Sequence, residues 1–366
     1  MTGAVSLIHP SQIDDALRSE WRALADDPHT PNPYFAPWFL EPALRRLADE
    51  TVKLCLVRDG AGRLIGLAPM APGAGYAKLP LRYMGVWRHD HCFNGAPLIR
   101  AGAFAAAVSA LLDWIDEQPG GARFLRFLDL PFDDADAAAF DDLCAARERP
   151  CRRQRTHQRA LLTRAHDYET HIASVYSGKK RKELRRQAKR FADLGKAEFA
   201  DLPITDATID AFVTMEKAGW KGAHADGFPV ARSTDEQAFF REAMKGGAQV
   251  GAVSCLALTL DAAPAAMLFS LRSGAMLSAF KIAYDETYSA YSPGVRLLKE
   301  ATRRMLEDGA VAEFDSCARA GHPVVDTLWP ARRRIAQLNI PSARASDKAL
   351  LGLAAGIENA IRPVRK

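Results

Sequence analysis

The sequence predicts a mixed α/β fold built from two similar halves, and three observations carry that expectation. Apolar runs of strand length are interleaved with helix-length segments, so no single period governs the chain. The order of elements in residues 52–131 (hairpin, further strand, irregular loop, helix, strand) recurs in residues 252–317. At 366 residues the chain exceeds what one small core organises and suggests about two domains.

In the first half, VKLCLVRDGAGRLIGLAPM (52–70) reads as two strands joined at Asp59-Gly60. LRYMGV supplies a third strand, and the irregular WRHDHCFNGAPLIR (87–100) follows. An Ala-rich helix over about 102–116 then leads to a strand in RFLRFLDLP (123–131). In the second half, residues 252–287 read as three strands with turns near Asp261–Pro264 and Ser273-Gly274. The irregular YSAYSPG precedes a helix from about Pro293 to Glu307 and a strand in AVAEFDSC (310–317).

Between the halves, Leu184, Ala188 and Phe191 recur at helical spacing within a strongly basic segment. A further helix spans 205–222 with Thr205 as N-cap. Residues 223–237 read as a loop, in which Ser233 or Thr234 caps the helix EQAFFREAMKG. The expected division is 1–160, 161–345 and a C-terminal helix or tail over 346–366.

An apolar fraction of 48% and a charged fraction of 25% are those of an ordinary soluble globular protein. No apolar run approaches the roughly 18 to 20 residues that span a bilayer. MTGAVSLIHPSQIDD lacks the basic and apolar regions of a secretory signal, so the expected location is cytoplasmic. The six cysteines are scattered without a CxxC pair, which predicts reduced thiols rather than a disulfide framework. The net charge of +5 is mild, but 131–142 is acidic while 151–159 and 177–190 are strongly basic.

One stretch holds more chemistry than a turn requires: AYDETYSAYSPGVRLL, residues 283–298. Ser292 suits an N-cap and Pro293 the first helical position. The amides of Gly294, Val295 and Arg296 would then face outward at the positive end of the helix dipole, an anion site. Gly294 permits close backbone approach, and Arg296 adds formal charge. Tyr284, Tyr288 and Tyr291 are candidates to line a pocket or to protonate a leaving group. Asp315, Glu216, Asp285 and His322 are candidate bases, His322 because its ordinary pKa lies near neutrality. Cys317, His322 and Asp326 are close in sequence, which is weak ground for a covalent triad. His89, Asp90, His91 and Cys92 cluster without a second His/Cys group, so no metal site is expected.

The succession SGKKRKELRRQAKRFADLG, MEKAGWKG, FFREAM, AYDETYSAYSPGVRLL and FDSC resembles the CelD-like acetyltransferases of the GNAT (GCN5-related N-acetyltransferase) superfamily. That branch is similar in architecture to the Fem aminoacyl transferases, which carry two GNAT-like domains in tandem. The likeness is strongest over roughly 160–335. It implies two GNAT-like domains, each a mostly antiparallel, splayed sheet flanked by helices. It also implies an acyl-CoA donor, such as acetyl-CoA, bound at Ser292, Gly294, Val295 and Arg296, where YSPGVR replaces the usual Gly-rich loop.

The acceptor, a small-molecule or saccharide amine (or hydroxyl), would meet Trp220, Lys281, Tyr284 and Asp285. His89 and Asp90 would close the cleft. Tyr288, Tyr291, Asp315 and His322 are the catalytic candidates. Two alternatives stay open: a Fem-like aminoacyl-tRNA donor contacted by the basic helix, and a catalytically silent module in polysaccharide or envelope assembly.

Overall fold

The computed structural model describes residues 3–118, 121–132, 134–219 and 229–361. The chain forms two compact units, Met1–His157 with Arg334–Lys366, and Gln158–Arg333. The first unit contains β1 (Ala4–Ile8), α1 (Asp15–Asp26), α2 (Pro37–Arg46), β2 (Lys53–Arg58) and β3 (Leu64–Tyr76). It continues with β4 (Leu79–Val86), the short β5 (Leu98–Ile99), α3 (Phe104–Asp116), β6 (Phe124–Phe132) and α4 (Asp134–Ala146). Strand β7 (Arg152–Thr163) begins in the first unit and ends in the second.

The second unit holds α5 (Tyr168–Val175), α6 (Gly178–Ala192), β8 (Ala197–Leu202), α7 (Asp206–Ala218) and α8 (Thr234–Gln249). Strands β9 (Val253–Leu260), β10 (Ala263–Ser273) and β11 (Met276–Tyr284) follow, then α9 (Pro293–Glu307), β12 (Glu313–Asp315) and α10 (Val325–Leu328). Strand β13 (Ala331–Pro341) starts in the second unit and carries the chain back to the first, where α11 (Ala345–Ile361) ends the described structure.

Each unit has one mostly antiparallel sheet with the same internal order. In the first, β1–β2–β3–β4 pair antiparallel in sequence order, and β4 then meets β6 in parallel. In the second, β8–β9–β10–β11 do the same and β11 meets β12 in parallel. The second sheet is closed by the end of β7, from that unit's own start, whereas the first is closed by a strand that returns from the far end of the sequence. β7 pairs with β12 over Leu161–Thr163, and β13 pairs with β6 over Arg334–Pro341.

That return was not expected from the sequence, which set 346–366 apart as a C-terminal helix or tail. Instead α11 packs Leu351 and Ala354 against Tyr76, Leu81 and Phe124 of the first unit. The Tyr76 hydroxyl also donates to Glu358 at 2.5 Å. Other boundaries differ modestly. β12 is three residues long rather than covering 310–317, and α7 ends at Ala218.

The second unit's core lies between its sheet and helices α5, α6, α9 and α10. Fully buried Phe191, Leu297, Leu328 and Trp329 anchor it, and the Trp329 ring N–H donates to Thr302 Oγ1 at 2.9 Å. On the opposite face Phe212, Phe240 and Phe269 stack within 5.0–5.5 Å of one another and fix α7 and α8 to the sheet.

Candidate active site

The site begins with a defect in the second sheet. β11 pairs with β12 only from Met276↔Glu313 to Ser278↔Asp315, and the rest of β11 runs on past the end of that ladder. Immediately after it the β10–β11 register slips. Phe269 faces Lys281 but Ser270 faces Ala279, which leaves Phe280 as the extra residue of a β-bulge. Bulges bend a strand and re-aim its groups. Here the bulge puts Phe280 and Lys281 on one face, toward Phe240 and Glu216, while Ile282 and Tyr284 join the α9 face. The outcome is a sheet that parts between two parallel strands and exposes backbone groups along one edge.

The equivalent gap in the first unit is filled. There the β4–β6 ladder spans Met84↔Leu125 and Gly85↔Arg126, and the following loop returns along β6. Gly95 N–H donates to Asp129 O at 3.1 Å, and Arg88 pairs with Asp129 at 3.0 Å. A Cβ on Gly95 would stand 1.9 Å from Leu128 O, so only glycine permits this approach. His89 and Asp90 lie in this loop, where His89 stacks on Phe39 at 5.9 Å. They belong to the first unit.

At its C-terminal end β11 turns through a 3-10 segment, Glu286–Tyr291, into α9. Asp285 caps that 3-10 segment, accepting from Thr287 N–H at 2.9 Å and Thr287 Oγ1 at 2.7 Å. Ser292 adopts a left-handed conformation (φ 52°, ψ 52°) and makes no side-chain capping bond, contrary to the expectation for it. The helix does start at Pro293. The Arg296 N–H already donates to Ser292 O at 3.1 Å. Gly294 and Val295 are therefore the first-turn amides without an intrahelical acceptor. A Cβ on Gly294 would lie 3.3 Å from Tyr284 Cδ1, so the Tyr284 ring rests against the helix start.

The three tyrosines do not share one pocket. Tyr284 lines a cleft of about 500 Å³ with Asp285, Glu286, Thr287, Thr214 and Met215, a size suited to a small molecule. Tyr288 and Tyr291 instead flank Phe191 of α6, at 5.4 and 5.7 Å between ring centroids. Arg190 lies 5.6 Å from the Tyr291 ring centre, and Arg296 lies 4.7 Å from that of Phe191. Arg296 thus adds charge beside the helix start from an aromatic seat.

Two expected bases are otherwise engaged. The Asp315 carboxylate is 1% exposed and pairs with Arg159 at 2.7 Å and Arg333 at 3.1 Å, while also accepting from Cys317 N–H at 3.0 Å. Burial alone would push its pKa up, but the two guanidinium groups and the amide outweigh it and hold the carboxyl below its usual range. It is a poor proton acceptor and a good anchor. His322 Nδ1 accepts from the amides of Val324 and Val325 at 3.3 and 3.4 Å. Its ring thus sits at the start of α10.

Glu216, named only as one of several options, sits more aptly. It is buried on α7, 3.8 Å from the buried Lys281 ammonium that follows the bulge, and its Oε2 accepts from Val230 N–H at 2.8 Å. Trp220 lies outside the described residues. Among the described residues no group of three or more His, Cys, Asp or Glu is placed to hold a metal ion. No described helix is long and apolar enough to cross a membrane.

Residues 178–322, which contain the bulge of β11 and the start of α9, match the family model of the acetyltransferase (GNAT) domain. No curated protein matches the chain. Among solved structures it is similar to FemX, at 10% identity and a TM-score of 0.58, over 92% of this chain and 98% of that one. It is also similar to L-PGS from Bacillus licheniformis, at 14% identity and a TM-score of 0.54, over 96% of each chain. A third likeness is to the C-terminal domain of a putative lysylphosphatidylglycerol synthetase from Agrobacterium fabrum, at 11% identity and a TM-score of 0.54, over 93% and 95%. The second unit therefore carries a GNAT-type acetyltransferase domain, set in a tandem architecture like that of FemX and L-PGS.

Proposed function

We propose that the second unit transfers an acyl group from a CoA thioester to an amine by direct attack in a ternary complex. The observation that carries this reading is the parting of β11 from β12 at a bulge whose strand leads, through the 3-10 turn, to the N-terminus of α9. A donor laid along that edge pairs its pantetheine amides with unpaired backbone, as an added strand does. Its pyrophosphate meets the Gly294 and Val295 amides at the positive helix end.

The acceptor enters by the cleft beside Tyr284, whose rim carries Asp285 and Glu286 and so suits a cationic amine. Glu216 takes a proton from the ammonium, and the free amine attacks the thioester carbonyl. Backbone donors at the bulge hold the developing oxyanion. Collapse expels the thiolate, which Tyr288 or Tyr291 protonates from the mouth of α9. A hydroxyl acceptor would follow the same course. Within the superfamily, the quoted motifs favour the CelD-like branch, and a cytoplasmic location fits the composition.

Aminoacyl transfer from charged tRNA is the second reading. It is favoured by the basic face of α6, whose Ser177-capped start leads into Lys179, Lys180 and Lys182.

Calorimetric titration with acetyl-CoA separates the two. Micromolar binding is expected for the wild type and for Gly294→Ala, whose Cβ needs only a small shift of the Tyr284 ring. Gly294→Asp places a carboxylate where the pyrophosphate lies and abolishes binding. Failure of the wild type to bind acetyl-CoA or longer acyl-CoAs overturns the CoA reading and leaves charged tRNA as the donor to test.

A further inference from the structure

Helix α9 seats Arg296 on Phe191 of α6, and cations of both helices gather beside that contact. Lys299 of α9 is half-buried; Glu169 of α5 favours its charge, while Arg185 on α6 and Arg296 on its own helix oppose it. Among the described residues, Arg296 Nη1 and, one turn before Arg185, Arg181 Nε are buried without a hydrogen-bond partner. The face of Phe191 under Arg296 compensates only in part, since a cation–π contact is weaker than an ion pair. Buried cations are costly unless paired, and like charges set close together add to that cost.

A solvated helix face is the usual explanation of a basic run, and it suffices for the exposed Lys179, Lys182 and Arg186. It does not explain Arg296 and Lys299, which stand half-buried on a different helix. Burial lowers the pKa of both, for Lys299 despite the opposing carboxylate of Glu169.

We propose that this groove is a second phosphate subsite, in which Arg185, Arg296 and Lys299 hold the ribose phosphate of the donor nucleotide. The inference rests on the reading that the donor's pyrophosphate meets Gly294. Lys299 stands five residues beyond Gly294, about 7.5 Å along the helix at 1.5 Å per residue. That is comparable to the separation of a pyrophosphate from a phosphate on the ribose of the same nucleotide. Guanidinium and ammonium groups converging on one phosphate form charge-assisted bonds, stronger for being partly desolvated.

The test titrates acetyl-CoA and 3′-dephospho-acetyl-CoA into the wild type and into the double variant Arg185→Gln, Lys299→Gln, with a thermal melt to establish folding. The wild type is expected to prefer acetyl-CoA by tenfold or more. The double variant is expected to bind acetyl-CoA no better than the dephospho form, whose own affinity is unchanged. Equal affinities in the wild type, or an undiminished preference in the variant, overturn the subsite and leave the donor reading intact, because both ligands still bind.

If neither ligand binds, the donor reading fails, and the groove is read with bulk tRNA across a salt series. A log–log salt slope that falls by about one to two in the variant supports phosphate capture from RNA instead. No tRNA binding, or an unaltered slope, overturns the groove altogether.

Discussion

Asp315 shows how a single residue is misread when only its neighbours in sequence are visible. It stands at a strand end, where bases are often sought, yet its partner Arg159 lies 156 positions away. Removing one member of a buried ion pair leaves the other charge uncompensated, at about 3–5 kcal/mol. Asp315→Asn should lower the second unit's stability by that order in urea unfolding. The pH dependence has a definite sign. The folded-state pKa is depressed, so the stabilisation is present above the unfolded value of about 3.9 and is lost as pH falls through the lower folded value. Midpoints measured from neutral pH into that acid range should fall for the wild type and change less for Asp315→Asn. Glu216 supplies the contrasting case, a buried carboxylate beside a strand that leaves its ladder. Glu216→Gln should reduce kcat by roughly 10²–10³ with KM little altered, and should lower stability because it leaves the buried Lys281 charge uncompensated, the fold being retained. An unchanged kcat would remove Glu216 as the base. The sequence did expose Pro293 and Gly294, because proline and glycine mark helix starts locally. It hid the left-handed Ser292, whose conformation is set by the 3-10 turn packed before it.

At the scale of elements, the hairpins were legible because their apolar runs break at turns with positive φ, at Asp261, Ala262 and Gly274. Helix α9 was legible to the residue from its Pro start and its amphipathic run. β7 and β13 were not, since RRQRTHQRALLT and ARRRIAQLNIP each carry a basic half that masks the strand pattern. Their pairing with β12 and β6 overrides local composition. α6 was read as a helix, but its function within the site turns on its last apolar residue. Phe191 is fully buried and touches Tyr288, Tyr291 and Arg296 together. Phe191→Ala should cost about 3–5 kcal/mol and weaken donor binding as well, because it unseats Arg296 and both tyrosines at the mouth of α9. Phe191→Leu, which keeps most of the volume, should cost about 1 kcal/mol while losing the aromatic seat for Arg296. Affinity that follows stability alone across the two variants would argue against Phe191 organising the donor mouth.

For the whole molecule, the repeated order of elements was legible in the sequence and the returning strand β13 was not. A repeat is a pattern along the chain, whereas the return of a strand is a choice among sheet edges. That return makes the two halves unequal as fragments. Residues Gln158–Arg333 retain β8 to β12 and the part of β7 that pairs with β12, so the second unit keeps a complete sheet and core. Residues 1–157 lose β13 and α11. That removes the antiparallel partner of β6 along Phe124–Phe132 and strips Leu351 and Ala354 from Tyr76, Leu81 and Phe124. An exposed edge of that length beside an apolar patch is an aggregation site. Expressed alone, 158–333 should be monomeric with a cooperative thermal transition. Residues 1–157 should be insoluble or expanded, and co-expression with 334–366 should rescue them, because the returning segment restores both the ladder and the Tyr76–Glu358 bond. Size-exclusion chromatography and circular dichroism of the three preparations decide the matter. A folded, monomeric 1–157 would mean that β13 adds to a sheet already stable without it.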